Sequence, residues 1–481
     1  MKMLLGFVTV MTACSLFASW SFNPETYIAV ETDENGAVKW EIACSDYGSA
    51  TDDGTEITIG KGEANDAYIS GSGVLDLSGF QSDTGKKIMR FQNYAFMQNN
   101  NITHVICPTA VTISKEAFCQ CKSLVSVSFQ GVIQFGNDVF YQCTALEGAL
   151  SFENCTTLNM GTFRDCSKIT SLNLPNCVSI RDHAMRGCSE LTTLVLSPNL
   201  TRLGNQCLRD CNKLTSLTPT VFPKYKISNG ETHAFYNTPA LQGDFSFPNL
   251  QKISDCFFCG TGMNSVSAPN AVTVSRMAFD SSAVKSVVLS SQLTSIGYQA
   301  FNNAAKLESL SPYLPESLVA MDYEAFKGCV SLKAPPALAA AGLTEIAYGT
   351  FEGTAANFTD ALNIYSPIAS IGNSAFKGGK NGQVYNFYAD VAPGLIGTDA
   401  FAGPAETDMA KICVHNPKAL DGWKNLCAPH NDAYATLKSR EDFPGVRTLG
   451  VIGCETGTAG TYTYHWVVNM SPTGGSVVLL F

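Results

Sequence analysis

Charge is scarce in this chain. Asp, Glu, Lys and Arg make up 15% of the 481 residues, and the formal net charge is −10. No block of Lys and Arg occurs anywhere, which argues against nucleic acid as a partner, because binding it needs clustered cations to displace counterions from phosphates. No apolar run reaches the ~20 residues that a membrane-spanning helix requires. No G-x-S-x-G, H-E-x-x-H, P-loop or G-x-G-x-x-G fingerprint is present, so no standard catalytic or nucleotide-binding signature points to an enzyme, a metal or a cofactor. Cysteine is too sparse for a disulfide-stapled scaffold, at eighteen residues in 481. What is abundant is apolar: 45% hydrophobic and 10% aromatic residues describe an ordered protein.

The N-terminus reads as an export signal. Met1-Lys2 is a short basic start, and Met3–Met11 (MLLGFVTVM) is an apolar stretch of signal-peptide length. Two exits follow. Thr12-Ala13-Cys14 is similar to a bacterial lipobox, which places a lipid on Cys14, although Met11 stands where lipoboxes favour Leu. Alternatively, ordinary cleavage falls near Ala18–Ser21, just before Phe22, making residues 1–21 the signal. Without Cys14 the cysteines number 17, so complete pairing within one chain is impossible.

The dominant feature is a repeat. Aligning the tokens Ala-Phe-x-x-Cys-x-x-Leu and Leu-x-x-Leu-x-Leu-Pro gives a column of Phe96, Phe118, Phe140, Phe163, Met185, Leu208, Phe235, Phe257, Phe279, Phe301, Phe326, Phe351, Phe376 and Phe401, spaced by 22 to 27 residues. Each unit has a physical reading. Ile169-Thr-Ser-Leu-Asn-Leu174 alternates apolar and polar residues and predicts a short strand with one buried face. Pro175-Asn176 and its counterparts at 198, 248 and 269 then turn the chain, and a second apolar pair such as Val178/Ile180 follows. The Phe is expected in a helical or 3₁₀ turn that closes the coil. A single coil cannot cover its own apolar side, whereas stacked coils bury a continuous core. Cys121, Cys143, Cys166, Cys188, Cys211 and Cys329 fall three residues after the column and read as buried thiols, since free Cys packs as a small hydrophobe.

Ala117-Phe118…Cys121…Leu124 and Ala325-Phe326…Cys329…Leu332 resemble the BspA-type (Treponema-type) leucine-rich repeat. The resemblance implies a bacterial surface or secreted protein, in a family several of whose members attach to host matrix proteins or to other cells. The expected fold is an α/β repeat solenoid: a right-handed leucine-rich-repeat coil with a parallel concave β-sheet, short helical or 3₁₀ turns on the convex side, and small β caps at both ends. About fourteen repeats cover 88–416, preceded by an N-terminal β cap at 22–87 with a hairpin at Asn35-Gly36. A helical cap at 417–444, including a short helix at Lys418–Leu426, and a small β unit at 445–481, with strands Thr461–Asn469 and Ser476–Phe481, complete the chain.

The candidate binding site is the row of residues beside the second Leu of each long strand, which point out of the concave sheet: Ser126, Ser128, Ser171, Asn173, Thr193, Val195, Ser216, Thr218, Asp244, Ser246, Ser265 and Ser267. This strip of hydroxyls suits an extended partner held by many weak hydrogen bonds, with little electrostatic steering. Two readings stand: an exported, non-catalytic adhesion or recognition module for an extracellular protein or glycan, or a structural spacer or surface-layer component without a specific ligand. Contact with a membrane is expected only through a lipid on Cys14. Cys413-x-His415 and Cys427-x-x-His430 carry zinc-type ligands, but the first pair lacks the usual two-residue gap; the alternatives are a Cys413–Cys427 disulfide and unpaired packing. Cys256-Phe-Phe-Cys259 has redox-motif spacing but overlaps the repeat's core position.

Overall fold

The structure, a computed structural model, describes residues 19–46, 55–60, 69–225, 231–333, 337–358, 360–380, 383–397, 399–403, 409–414, 416–419, 422–423, 449–456 and 462–469. The chain divides into two compact units, Met1–Pro219 and Thr220–Phe481.

In the first unit each coil contributes a long strand to one parallel ladder and a two-residue strand to another. The long strands Gly73–Asp76, Ile102–Ile106 and Ser126–Ser128 form a three-stranded sheet. Glu147–Ser151, Lys168–Leu174, Thr193–Leu196 and Ser216–Thr218 form a four-stranded one. The short strands, from Thr112–Ile113 to Arg202–Leu203, continue the ladder begun by Glu56–Ile59 and Lys87–Phe91. Ahead of them Ser19–Asn23, Ile28–Thr32 and Val38–Asp46 run antiparallel. The turn between the last two is fixed by Asp33, whose Oδ1 accepts from the backbone N–H of Asn35 and of Ala37, both at 2.9 Å, while Gly36 takes φ +76°.

The second unit repeats the plan. Asp244–Ser246, Ser265–Ser267, Ser286–Val288 and Ser309–Ser311 form a parallel sheet. Leu362–Ile364, Val384–Phe387 and Met409–Val414 form another, extended antiparallel by Tyr462–Asn469 and Leu449–Thr456. The strand expected at Thr461–Asn469 thus has Leu449–Thr456 as its partner. Ser476–Phe481 lies outside the described residues. Of the helix expected at Lys418–Leu426, only a 3₁₀ turn at Pro417–Ala419 and two helical residues, Gly422 and Trp423, are described.

The α/β expectation does not hold, and the closing turns are not helical. Among the described residues the α-helix amounts to Phe80–Thr84 and the pair at 422–423, with 3₁₀ turns at Ala355–Asn357 and Pro417–Ala419. The architecture is a parallel-strand β-solenoid. The physical reason lies two residues either side of each column residue, where the backbone is left-handed: Glu116 and Gln120 around Phe118, Asp138 and Gln142 around Phe140, Gln299 and Asn303 around Phe301. A helix sends its N–H groups to carbonyls four residues back. Here the N–H groups of Tyr94, Phe96 and Gln98 donate instead to the carbonyls of Lys115, Ala117 and Cys119 in the next coil, at 3.0, 2.7 and 2.7 Å.

This backbone also corrects the register of one unit. Left-handed Cys256 and Gly260 flank Phe258, not Phe257, and Phe258 stacks on Phe235 and Phe279 at 5.6 and 5.1 Å. Phe257 packs edge-on against Phe258 at 4.8 Å. Two adjacent Phe residues leave periodicity unable to choose between them, and the residue three after the column is therefore Thr261. The column rings stack nearly parallel elsewhere: Phe96, Phe118, Phe140 and Phe163 in the first unit, and Phe279, Phe301, Phe326, Phe351, Phe376 and Phe401 in the second. Each such pair adds about 0.5–1.5 kcal/mol beyond its buried area.

The cysteine column is buried and unpaired, and each thiol has a defined task. Cys121, Cys143, Cys166, Cys188, Cys211 and Cys329 donate to the carbonyl of Phe96, Phe118, Phe140, Phe163, Met185 and Phe301 at 2.9–3.3 Å. Thr354 does the same to Phe326 with a hydroxyl. Turn asparagines add a second coil-to-coil link: Asn176 and Asn270 donate to Glu153 and Pro248 carbonyls at 2.8 and 2.7 Å.

Candidate binding face

The repeat alternation places one buried residue at the centre of each long strand and turns its two neighbours outward. Leu172, Leu194 and Leu217 are buried at the centre of the first unit's four-stranded sheet. Flanking them, Ser171, Thr193 and Ser216 are in register as one row, and Asn173, Val195 and Thr218 as the next. In the second unit Phe245, Val266, Val287 and Leu310 are buried. Beside them run the rows Asp244, Ser265, Ser286, Ser309 and Ser246, Ser267, Val288, Ser311. All of these outward residues are half-buried or exposed. Ser126 and Ser128 face outward too, but belong to the three-stranded sheet, where they pair with His104 and Ile106.

Several outward groups satisfy one another along the rows. Asn173 Nδ2 donates to Ser151 Oγ at 2.9 Å and Ser265 Oγ to Asp244 Oδ1 at 2.6 Å. At the edge of the face, Thr192 and Thr215 hydroxyls donate to the carbonyls of Thr170 and Thr192 at 2.9 and 3.1 Å. Each hydroxyl can still accept from a partner. Within each sheet, then, the rows form a nearly uncharged, regularly spaced surface.

A further sheet of the second unit, with Leu362–Ile364 beside Val384–Phe387, carries a feature outside the Ser and Thr strip. Tyr365 and Tyr388 stack on neighbouring coils with ring centroids 4.4 Å apart and planes 12° apart, and Tyr365 is 50% exposed. Beside them Asn386 Nδ2 donates to Asn363 Oδ1 at 2.8 Å. The signal was in the chain as Asn363-Ile-Tyr365 and Asn386-Phe-Tyr388, the same triplet pattern 23 residues apart. It went unread because the strip was followed through Ser and Thr.

The described histidines are not gathered into one place. His104, His183 and His233 lie in separate coils, and His465 lies in the strand Tyr462–Asn469. Cys413, in the strand Met409–Val414, has Asn386 and His465 as Cα partners on either side. Cys14, His415, Cys427 and His430 lie outside the described residues, so the lipidation, zinc and disulfide expectations fall there too.

A family model for the BspA-type leucine-rich repeat region matches residues 89–215, 134–265, 226–354 and 313–412, which together span two-thirds of the chain. The chain belongs to the BspA-type leucine-rich repeat family. This BspA-type protein is also similar to several solved structures. A leucine-rich cell surface protein of Faecalibacterium prausnitzii is 19% identical, with a TM-score of 0.37, over 68% of this chain and 93% of that one. A leucine-rich repeat protein of Bacteroides ovatus is 17% identical, with a TM-score of 0.38, over 76% and 91%. The pneumococcal vaccine antigen PcpA is 16% identical, with a TM-score of 0.38, over 78% and 94%. No curated protein matches the chain. Among its described residues the BspA-type protein has no helix long and apolar enough to cross a membrane.

Proposed function

We propose that this BspA-type protein is an exported, non-catalytic recognition module that engages an extended extracellular partner through its long-strand face. The observation that carries this reading is the stacked pair of exposed Tyr365 and half-buried Tyr388 beside the Asn363–Asn386 amide ladder. Exposed aromatic area contributes little to the core, so a spacer gives no account of it. Aromatic rings and amides suit the C–H faces and hydroxyls of a glycan, and the Asp390–Lys418 ion pair, 3.2 Å long, lies beside Tyr388 through Asn416; a protein partner is the other arm of the test. Binding of the chain 19–481 to surface glycans and matrix proteins, beside Tyr365→Ala and Tyr388→Ala, tests it. Loss of saturable binding in folded variants supports recognition at this pair, and unchanged binding removes it.

The spacer reading is favoured by one specific observation, the internal hydrogen bonding of the rows at Asn173–Ser151 and Ser265–Asp244. A surface that satisfies itself needs no ligand. The same binding experiment separates the two readings.

Export is inferred from the apolar stretch Met3–Met11, and Trp20 bears on where the leader ends. Trp20 is 5% exposed, its Nε1 donates to the Asp76 carbonyl at 2.9 Å, and its ring lies 5.2 Å from that of Phe80. A cut just before Phe22 removes these contacts and most of the strand Ser19–Asn23. We therefore place the cut at or before Ala18, which the Cys14 exit satisfies. The mass of the mature N-terminus checks this: a chain beginning at Phe22 contradicts it.

A further inference from the structure

One cluster on the turn edge of the second unit is not used by the binding face. Cys256-Phe-Phe-Cys259 is a β-turn in which the Cys259 N–H donates to the Cys256 carbonyl at 3.3 Å, and such a turn brings its end Cα atoms within about 7 Å. That is the separation a disulfide spans. Both thiols are free and lie within hydrogen-bonding reach of each other. They are also nearer to solvent than the cysteine column: 3% and 6% exposed, against 0% for Cys121, Cys143, Cys166, Cys188, Cys211 and Cys329.

The surroundings distinguish the two sulfurs. His233 and the Arg276 guanidinium both add positive charge beside Cys256; Arg276 Nε is also 3.8 Å from Asp255 Oδ2. Cys259 Sγ instead faces Asp280 Oδ2 at 3.7 Å. That carboxylate is held in place by Asn302 Nδ2 at 2.7 Å and Ser281 Oγ at 3.2 Å. The Cys259 thiol, with His233 and Arg276 and against the opposing effect of burial, lowers Cys256, while the neighbouring sulfur, burial and Asp280 push Cys259 up. Among the described residues no three His, Cys, Asp or Glu side chains are arranged to hold a metal ion. Cys119 provides the contrast. It stands one residue after Phe118 as Cys259 does after Phe258, but with Glu116 in the place of Cys256, and burial followed by Glu116 and Asp138 pushes it up to about 12.

We propose that Cys256 and Cys259 are a redox-active dithiol that exchanges with small disulfides, Cys256 attacking and Cys259 resolving. The Cys256 thiolate attacks one sulfur of the disulfide RS–SR, forming Cys256–S–SR and releasing RS⁻. Cys259 passes its proton to Asp280, and its sulfur attacks Cys256 Sγ, closing the Cys256–Cys259 bond and releasing a second RS⁻. The thiolate–thiol pair is oxidised by two electrons and RS–SR is reduced to two thiols; one of their protons is the one Cys259 gives to Asp280, and the other comes from solvent, which took it when Cys256 ionised.

The test uses the reduced full chain with oxidised glutathione, read by peptide mass mapping, and timed alkylation by iodoacetamide. The expected result is a two-hydrogen mass loss confined to the Cys256–Cys259 peptide, glutathione trapped on Cys256 in Cys259→Ser, and none on Cys259 in Cys256→Ser. His233→Gln slows the trapping. In the unsubstituted chain, which raises no question of folding, Cys256 alkylates at least ~100-fold faster than Cys119. Equal alkylation of Cys256 and Cys119, or glutathione on Cys259 in Cys256→Ser at the rate seen in Cys259→Ser, overturns the assignment.

Discussion

Cys143 Sγ donates a hydrogen bond to the carbonyl oxygen of Phe118, one coil before it, at 3.0 Å. The contact links the thiol column to the ring column: the residue whose ring is stacked also presents the carbonyl that the next coil's thiol closes. Thr354 performs the same task on Phe326. A hydroxyl can therefore make the thiol's contact, whereas a side chain without a donor, such as Ala304 three residues after Phe301, fills the position without making it.

Cys143→Thr is accordingly expected to cost less than about 1 kcal/mol, while Cys143→Ala removes one of the two bonds that the Phe118 carbonyl accepts, the other coming from the Cys121 N–H at 3.3 Å, leaves a small cavity, and costs about 1–3 kcal/mol. Denaturant midpoints of the two variants check this. Equal losses contradict the hydrogen-bond role.

Gly136 is placed by close approach. A Cβ built there lies 2.4 Å from the backbone N of Lys115 in the preceding coil. Backbone cannot swing aside as a side-chain tip can, so Gly136→Ala is expected to destabilise the first unit by more than about 2 kcal/mol, an overpacking cost. Gly36→Ala, with nothing within 4 Å but φ +76°, isolates the cost of the left-handed backbone alone. Thermal melts of the pair separate crowding from conformation.

Glu31 makes stability depend on pH. It is buried in the strand Ile28–Thr32, and its Oε2 has no hydrogen-bond partner. Burial raises it from 4.5 to about 7, Lys39 opposing and Asp76 adding to the rise. Below 4.5 folded and unfolded chains both hold the proton. Between 4.5 and about 7 the unfolded chain releases it first, so stability falls as pH rises, and above that the loss is complete. Glu31→Gln removes the titration. Allowing for screening by solvent, we expect a gain of order 1 kcal/mol at pH 8 and none at pH 4. A pH-independent effect of the substitution contradicts the assignment.

How far the sequence reached follows from what each signal depends on. The period, the alternating long strands and the buried thiol column were legible because they follow from burial, which apolar and small residues report directly. The closing turns were not. Phe118 flanked by polar residues suits a helix or a left-handed turn equally, and only the coil-to-coil hydrogen bonds of Phe96 and Gln98 decide between them. Polar or glycine residues two positions either side of the column were the available clue, since Asp, Asn and Gly tolerate positive φ. Phe257 was chosen over Phe258 by counting, and left-handed Gly260 reverses the choice. On the candidate face, Ser171, Thr193 and Ser216 were placed as expected from period two. Tyr365 and Tyr388 needed a comparison between coils, not a scan for one residue type.

The central claim, recognition through the long-strand face, is tested most directly by quantitative binding of the chain 19–481 to immobilised glycans and matrix proteins, beside a Ser171/Thr193/Ser216→Glu variant and Tyr365→Ala. The account predicts saturable binding by the unsubstituted chain, lost about tenfold or more in folded variants, since each lost interaction of ~1.4 kcal/mol is a factor of ten. Binding that both variants retain in full, or its absence across the panel, contradicts the account and leaves the spacer reading in its place.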